Sequence, residues 1–288
     1  MSDRLLAWGL RITWLALPFT VGPAITAALA HHSDAVRITA DVGAWVVWAV
    51  VLVSTLAFHP VGLTILRCAA PAVTAAAISA AISGRPGTPV ASLAVGWSAA
   101  VSVVALLPAT GELLVNGPAY ANERRFLLRP AGALLVGPIE VAWGVAVGLP
   151  VAAALLLAAG QWVLGGVVGV AAVGLGWVLG RALYSLACRW AVFVPAGLVL
   201  HDSVTLRDPV LFRKEVVESL GPAPTGTDSL DLTVRAPGLA LELLLTEKVP
   251  LSRPVGDGAS ARLLFTPTRP GAVLAEASRR RLQVGPPR

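Results

Sequence analysis

The sequence predicts an α-helical transmembrane bundle of about six spans, followed by a small β-rich domain that ends in a helix. Three observations predict it. Long apolar runs fill the first two thirds of the chain, their flanking arginines fall mainly on alternate loops, and after Cys188 the long runs give way to short alternating ones. With 56% hydrophobic residues, 13% charged ones and a mean hydropathy of +0.76, the 288-residue chain lacks the charge to clothe itself in a water-facing surface.

The apolar runs cover residues 12–30, 42–58, 61–82, 90–109, 132–158 and 161–183. Each is long enough to cross a hydrocarbon layer of about 30 Å, and each must be helical, because lipid offers no partner to a bare N–H or C=O. Arg4 and Arg11 ahead of the first run, and Ala28-Leu29-Ala30 at its end, imitate a secretory signal. The run exceeds the roughly 7 to 15 apolar residues of a signal core, so a retained anchor is expected. Pro18, Pro23, Pro71, Pro138 and Pro150 should kink their spans, with neighbouring helices satisfying the freed carbonyls. Glycines at 144 and 148, 165 and 169, and 176 and 180 have the small-xxx-small spacing that suits packing within the bundle.

Placing the N-terminus in the cytoplasm brings Arg67, Arg124, Arg125, Arg129, Arg181 and Arg189 to or near the cytoplasmic face and leaves Arg37 and Arg85 opposite. The expectation is a multi-pass protein of a bacterial plasma membrane with both termini cytoplasmic. A GC-rich bacterial genome suits the Ala, Val and Gly richness and the scarcity of lysine, which occurs only at Lys214 and Lys248. The net charge of +6 resides at span ends and not on one soluble stripe, so nucleic acid is not an expected partner. Cys68 and Cys188 occupy different settings and are expected as free thiols.

Two charges fall within apolar runs. Counted at 1.5 Å per residue from the ends of their runs, Arg67 lies about 9 Å deep and Glu140 about 12 Å deep, so they are expected to form an intramembrane polar pair. Such a pair either fixes helix packing or contacts a proton or ligand. The outer loop carries the metal-capable side chains His31, His32, Asp34 and Asp41, but adjacent histidines project differently and no ligand spacing appears, so no metal is expected. Hydroxyls at Ser54, Thr55, Ser98 and Ser102 are expected to bond nearby helix carbonyls. GxSxG, HExxH, Walker A and dinucleotide fingerprints are absent, so neither an enzyme nor a bound cofactor is expected. The polar connector at 111–130, with Glu112, Asn116, Tyr120, Asn122 and Glu123 beside its arginines, should hold topology or, as the sharper alternative, dock on the soluble module or on a partner at the membrane surface.

The expected domains are 1–187 in the membrane and 188–288 in the cytoplasm. Strands are predicted at 190–194 and 198–201 around Pro195-Ala196-Gly197, and at 205–206, 211–217 and 261–265. Leu230, Leu232 and Val234 alternate with Asp231, Thr233 and Arg235, and Ala236-Pro237-Gly238 should turn the chain into Leu239, Leu241, Leu243 and Leu245. His201-Asp202 should make a turn. Pro270 opens a final helix, and Arg279, Arg280 and Arg281 close it.

This strand-rich region with its closing helix resembles the bacterial pleckstrin-homology-like (PH-like) family over the last third of the chain. The residues that carry the resemblance are Arg189-Trp-Ala-Val-Phe-Val-Pro-Ala-Gly-Leu-Val-Leu-His201, Pro209-Val-Leu-Phe-Arg-Lys-Glu-Val-Val-Glu-Ser-Leu220 and the final helix. The resemblance implies a small PH-like barrel that binds another membrane or cytoplasmic protein. Family members that bind phosphoinositides use a clustered basic loop, whereas here Arg213 and Lys214 adjoin Glu215 and Arg235 stands alone. The whole chain also resembles actinobacterial polytopic integral membrane proteins with such a C-terminal domain, which implies neither substrate nor catalytic residue. The expected function is an integral membrane scaffold or regulatory subunit of envelope-biogenesis or export machinery. A transporter component using Arg67 and Glu140 is the alternative, with a membrane-embedded lipid-modifying enzyme behind it. The bilayer is itself a partner: Arg124, Arg125, Arg129, Arg279, Arg280 and Arg281 are the candidate membrane-surface residues, each contributing about 1 kcal/mol near an anionic leaflet.

Overall fold

The computed structural model describes residues 3–120, 122–254 and 256–285. They form two compact units: one holds the chain up to Gly117 together with Glu140–Tyr184, and the other holds Pro118–Ile139 and the chain from Ser185 onward.

The helical unit runs α1 (Asp3–Leu15), α2 (Leu17–Thr20), α3 (Gly22–Leu29), α4 (Asp34–Leu56), α5 (Pro60–Ser83), α6 (Thr88–Leu106), α7 (Pro108–Val115), α8 (Pro138–Ala158) and α9 (Trp162–Ala187), the last of which ends in the second unit. Five of these, α4, α5, α6, α8 and α9, are long and apolar enough to cross a membrane, as in a multi-pass membrane protein. Their outward surface is apolar, as Val163, Val170, Val173 and Trp177 on α9 illustrate, which suits hydrocarbon and not water.

The expected sixth span, at the N-terminus, is replaced by three short helices. Pro18 and Pro23 are each the second residue of a new helix, and neither has an amide hydrogen to continue the preceding one. Hydrogen bonding shortens at both joints, Phe19 N to Ala16 O and Ala24 N to Val21 O, each 3.1 Å. Neighbouring helices satisfy the disturbed backbone. The Trp14 carbonyl, which Pro18 cannot reach, accepts from the Trp48 indole at 3.2 Å, and the Thr13 carbonyl accepts from Trp97 at 3.0 Å. Trp14 returns the bond to Trp48 O at 2.9 Å. Arg11 caps the last turn of α4, donating Nη2 to Thr55 O at 2.8 Å. Beside Pro71, the Cys68 carbonyl accepts from Trp143 at 2.9 Å.

Three of the four hydroxyls bond helix carbonyls as expected, Ser54 donating to Val50 O, Thr55 to Leu52 O and Ser98 to Ala94 O, whereas Ser102 meets the Thr74 hydroxyl of α5 at 2.8 Å. Of the three glycine pairs, only 165 and 169 face another helix, against Leu157 and Ala153; a Cβ at 144, 148, 176 or 180 would meet nothing within 4 Å.

The second unit contains two four-stranded sheets. The first has the order β1 (Arg124–Leu127), β2 (Trp190–Val194), β3 (Gly197–His201), β4 (Val210–Arg213), antiparallel throughout. The other strands are β5 (Val217–Pro222), β6 (Leu230–Asp231), β7 (Leu241–Leu251) and β8 (Gly258–Phe265), in the spatial order β5-β7-β8-β6. The helix α10 (Pro270–Arg279) follows, opened by proline and closed by arginine as the sequence predicts. Inward residues of both sheets share one core with this helix, including Phe126, Phe193, Phe212, Leu243, Phe265 and Val273.

No closed barrel forms among the described residues; the strands divide between two sheets. The strand expected at 205–206 is a turn, and the one at 211–217 breaks at 214–216 between β4 and β5. The hairpin expected between 230–235 and 239–245 is absent too. There β6 stops after two residues and pairs in parallel with β8, because Val234 (φ 51°) and Arg235 (φ 55°) turn the chain, closed by Ala236 N donating to Thr233 O at 3.0 Å.

Candidate functional site

The chain leaves α7, supplies β1 to the second unit, passes through α8 and α9, and returns as β2. Side by side, these two segments place Arg124 opposite Phe193 and Leu127 opposite Trp190. Beyond β1, Arg129 N donates to Thr266 O and Thr268 N donates to Leu127 O, both at 2.8 Å. Residues 124–129 are therefore hydrogen-bonded both to β2 and to the segment that follows β8. The connector read from sequence as a loop is a structural strand of the β unit.

Beside this strand, Arg189 and Asp202 form a buried two-pronged ion pair, with Nε to Oδ1 at 2.6 Å and Nη2 to Oδ2 at 2.7 Å. The remaining prong, Nη1, donates to the carbonyl of Arg129 at 3.0 Å. Asp202 also accepts from Val204 N at 3.0 Å and from the Thr205 hydroxyl at 2.9 Å, making the turn expected after His201. Their side chains are 2% and 1% exposed, so the charges are compensated by each other and by neighbouring dipoles, not by water. A pair this saturated holds no free nucleophile or base. It can position the three segments that meet there. By sequence alone Arg189 is a charge flanking a span and Asp202 a turn residue. The signal was the hairpin: counting outward from Pro195-Ala196, Trp190 faces His201 and Arg189 falls next to Asp202.

A layer of cations and rings flanks this pair. Arg125 donates to Glu123 at 2.8 Å and lies 5.3 Å from the Trp190 ring centroid. Trp190 in turn stacks on His201, with 5.4 Å between centroids and 23° between planes. The carbonyl of Cys188 can only accept, so His201 Nδ1 carries the hydrogen of their 2.7 Å contact. Hydrogen bonding from Arg125 holds the Glu123 carboxyl below the usual carboxylate range.

The six candidate surface arginines have different environments. Arg280 is drawn inward, donating to Glu276 Oε1 at 2.7 Å and to Asn122 O at 2.9 Å and lying over Phe193. Arg124 lies over Phe126 and Arg125 over Trp190, while Arg129 encloses a buried Nε that has no partner. Arg279 and Arg281 are the exposed members, Arg279 also pairing with Glu276.

In the helical unit, Arg67 and Glu140 do not form the expected ion pair. Because α8 begins at Pro138 and not near Gly132, Glu140 is its third residue, where a carboxylate suits the helix N-terminus. Arg67 Nε is buried and meets no hydrogen-bond partner. Ahead of α4, Ser33 accepts the Val36 N–H at the start of that helix, and Asp34 pairs with Arg37 at 3.3 Å. Asp41 lies within α4, and no group of three metal-capable side chains converges there or elsewhere among the described residues. Both cysteines are free. Comparison with protein families, curated proteins and solved structures finds no match for this chain.

Proposed function

We propose that this chain is a membrane-anchored scaffold or regulatory subunit of a bacterial plasma membrane, with both termini cytoplasmic. Its β unit, read as a PH-like module, presents a docking surface to another membrane or cytoplasmic protein of envelope-building or export machinery. One observation carries the reading: the β unit is assembled from two chain segments that bracket α8 and α9. The chain passes between the units at Gly117/Pro118, Ile139/Glu140 and Tyr184/Ser185, so the β unit is tied to the membrane helices at three points. A module fastened in this way suits a surface kept at the bilayer, whereas a freely tethered domain needs a single linker. The saturated Arg189–Asp202 pair supports a positioning role over a chemical one.

Two measurements test the reading together. A reporter fused after Arg288 should be active in the cytoplasm. The full chain, isolated in mild detergent, should bring down a stoichiometric partner that is lost when exposed β-unit residues are changed, as in Leu211→Asp with Leu239→Asp. A periplasmic reporter, or no partner from cells that also tolerate loss of the β unit, would end this reading.

A further inference from the structure

Arg67 lies within α5, about 10 Å from its first residue at 1.5 Å per residue. Its neighbours along the helix place it among other helices. Five residues earlier, Gly62 packs so closely that a Cβ there would lie 3.1 Å from Ser54 O of α4 and 3.6 Å from Leu114 of α7. One residue later, the Cys68 carbonyl takes the indole hydrogen of Trp143 from α8. Leu63, Leu66 and Ala70 around it on α5 are wholly buried. Among these neighbours the Arg67 Nε is buried and has no hydrogen-bond partner, while the residue as a whole is half-buried.

A guanidinium drawn partly out of water without a counter-charge favours an oxyanion within its reach. Long helical side chains lean toward the helix N-terminus, which carries this guanidinium toward the Pro60 end of α5 and the polar edge of the bilayer. Phosphate oxyanions are abundant at that edge, and the planar guanidinium fork matches them with two parallel hydrogen bonds. We propose that Arg67 is the receptor for a phosphate-bearing ligand seated at the Pro60 end of α5. A phospholipid headgroup and a soluble phosphate offer the same oxyanion. The proposal is independent of the docking role of the β unit, since phosphate response and partner recovery are separate readouts.

The test is thermal unfolding of the full chain, stripped of lipid in a neutral detergent, on adding phosphatidylglycerol, phosphate-free diacylglycerol or inorganic phosphate. Wild-type protein should gain stability with phosphatidylglycerol and not with diacylglycerol. A gain with inorganic phosphate as well identifies a soluble source. Arg67→Gln should lose the gain, and Arg67→Lys, which keeps the charge without the fork, should retain a reduced one. No response of the wild type to either phosphate compound, or an undiminished response of Arg67→Gln, overturns the proposal. Should Arg67→Gln fail to fold, a photo-crosslinking phospholipid on the wild-type chain decides: attachment at residues 63–71 supports the site, and its absence there with no inorganic phosphate response refutes it.

Discussion

At the residue scale, the Arg189–Asp202 pair has the largest predicted effect. Asp202 receives both prongs of the guanidinium, the Val204 amide and the Thr205 hydroxyl, so Asp202→Asn keeps the shape and removes the charge that Arg189 was buried against. We expect a loss of about 3 to 5 kcal/mol in denaturant unfolding of the β unit, the cost of an uncompensated buried cation. Replacing both partners, Arg189→Met with Asp202→Leu, should recover much of it, because two desolvation costs vanish with the pair. Glu123 offers a pH-dependent counterpart. Its folded-state pKa is depressed by Arg125, so its contribution is present above the unfolded carboxylate value of about 4.3 and fades as pH falls through the lower folded value. Unfolding followed from neutral to acid pH should show Glu123→Gln losing less stability on acidification than the wild type below about pH 4.3.

At the element scale, broken helices are held by side chains from their neighbours. Removing the indole donor with Trp48→Phe leaves the Trp14 carbonyl at the Pro18 joint without its hydrogen bond, which should cost on the order of 1 kcal/mol of thermal stability in detergent. Hydropathy reveals such helices only in part. The five long spans were legible because an apolar run of that length has one stable form in lipid. The N-terminal run misled because its length is apolar while Pro18 and Pro23 restart the helix twice within it. The depth of Glu140 misled for a different reason: Gly132 reads as the start of a span, yet its amide donates to Val234 O at 3.3 Å and belongs to the β unit. In the tail, β2, β3 and α10 were legible from alternation and capping, whereas β6 was overread because alternation does not register a left-handed turn at Val234 and Arg235. That turn ordinarily favours Asn-Gly, so Val234→Asn with Arg235→Gly should raise the unfolding midpoint, by relief of about 1 to 2 kcal/mol.

At the scale of the whole molecule, the consequential feature is β1, and no local signal could have assigned it. It has four residues, two of them arginines, and its partner β2 lies beyond two membrane helices. The β unit depends on this segment for Phe126 in its core, for the carbonyl of Arg129 that receives Arg189, and for the carbonyl of Asn122 that receives Arg280. Losing a buried phenylalanine alone costs about 3 to 5 kcal/mol, against the roughly 5 to 15 kcal/mol that holds a typical domain together. The fragment Ser185–Arg288 should therefore lack a cooperative transition and bind hydrophobic dyes, even though it contains every other strand. The repair follows from the register. Leu128 N donates to Arg189 O at 3.0 Å, so the two strands already lie side by side where the membrane helices are interposed. A short glycine-rich linker from Ala131 to Cys188, replacing α8 and α9, should convert the crossing into a hairpin and yield a water-soluble β unit with sharp two-state unfolding. Equal stability of the fragment with and without residues 118–131 would show that β1 is dispensable to the fold, and with it the argument that the membrane helices hold this unit by its own sheet.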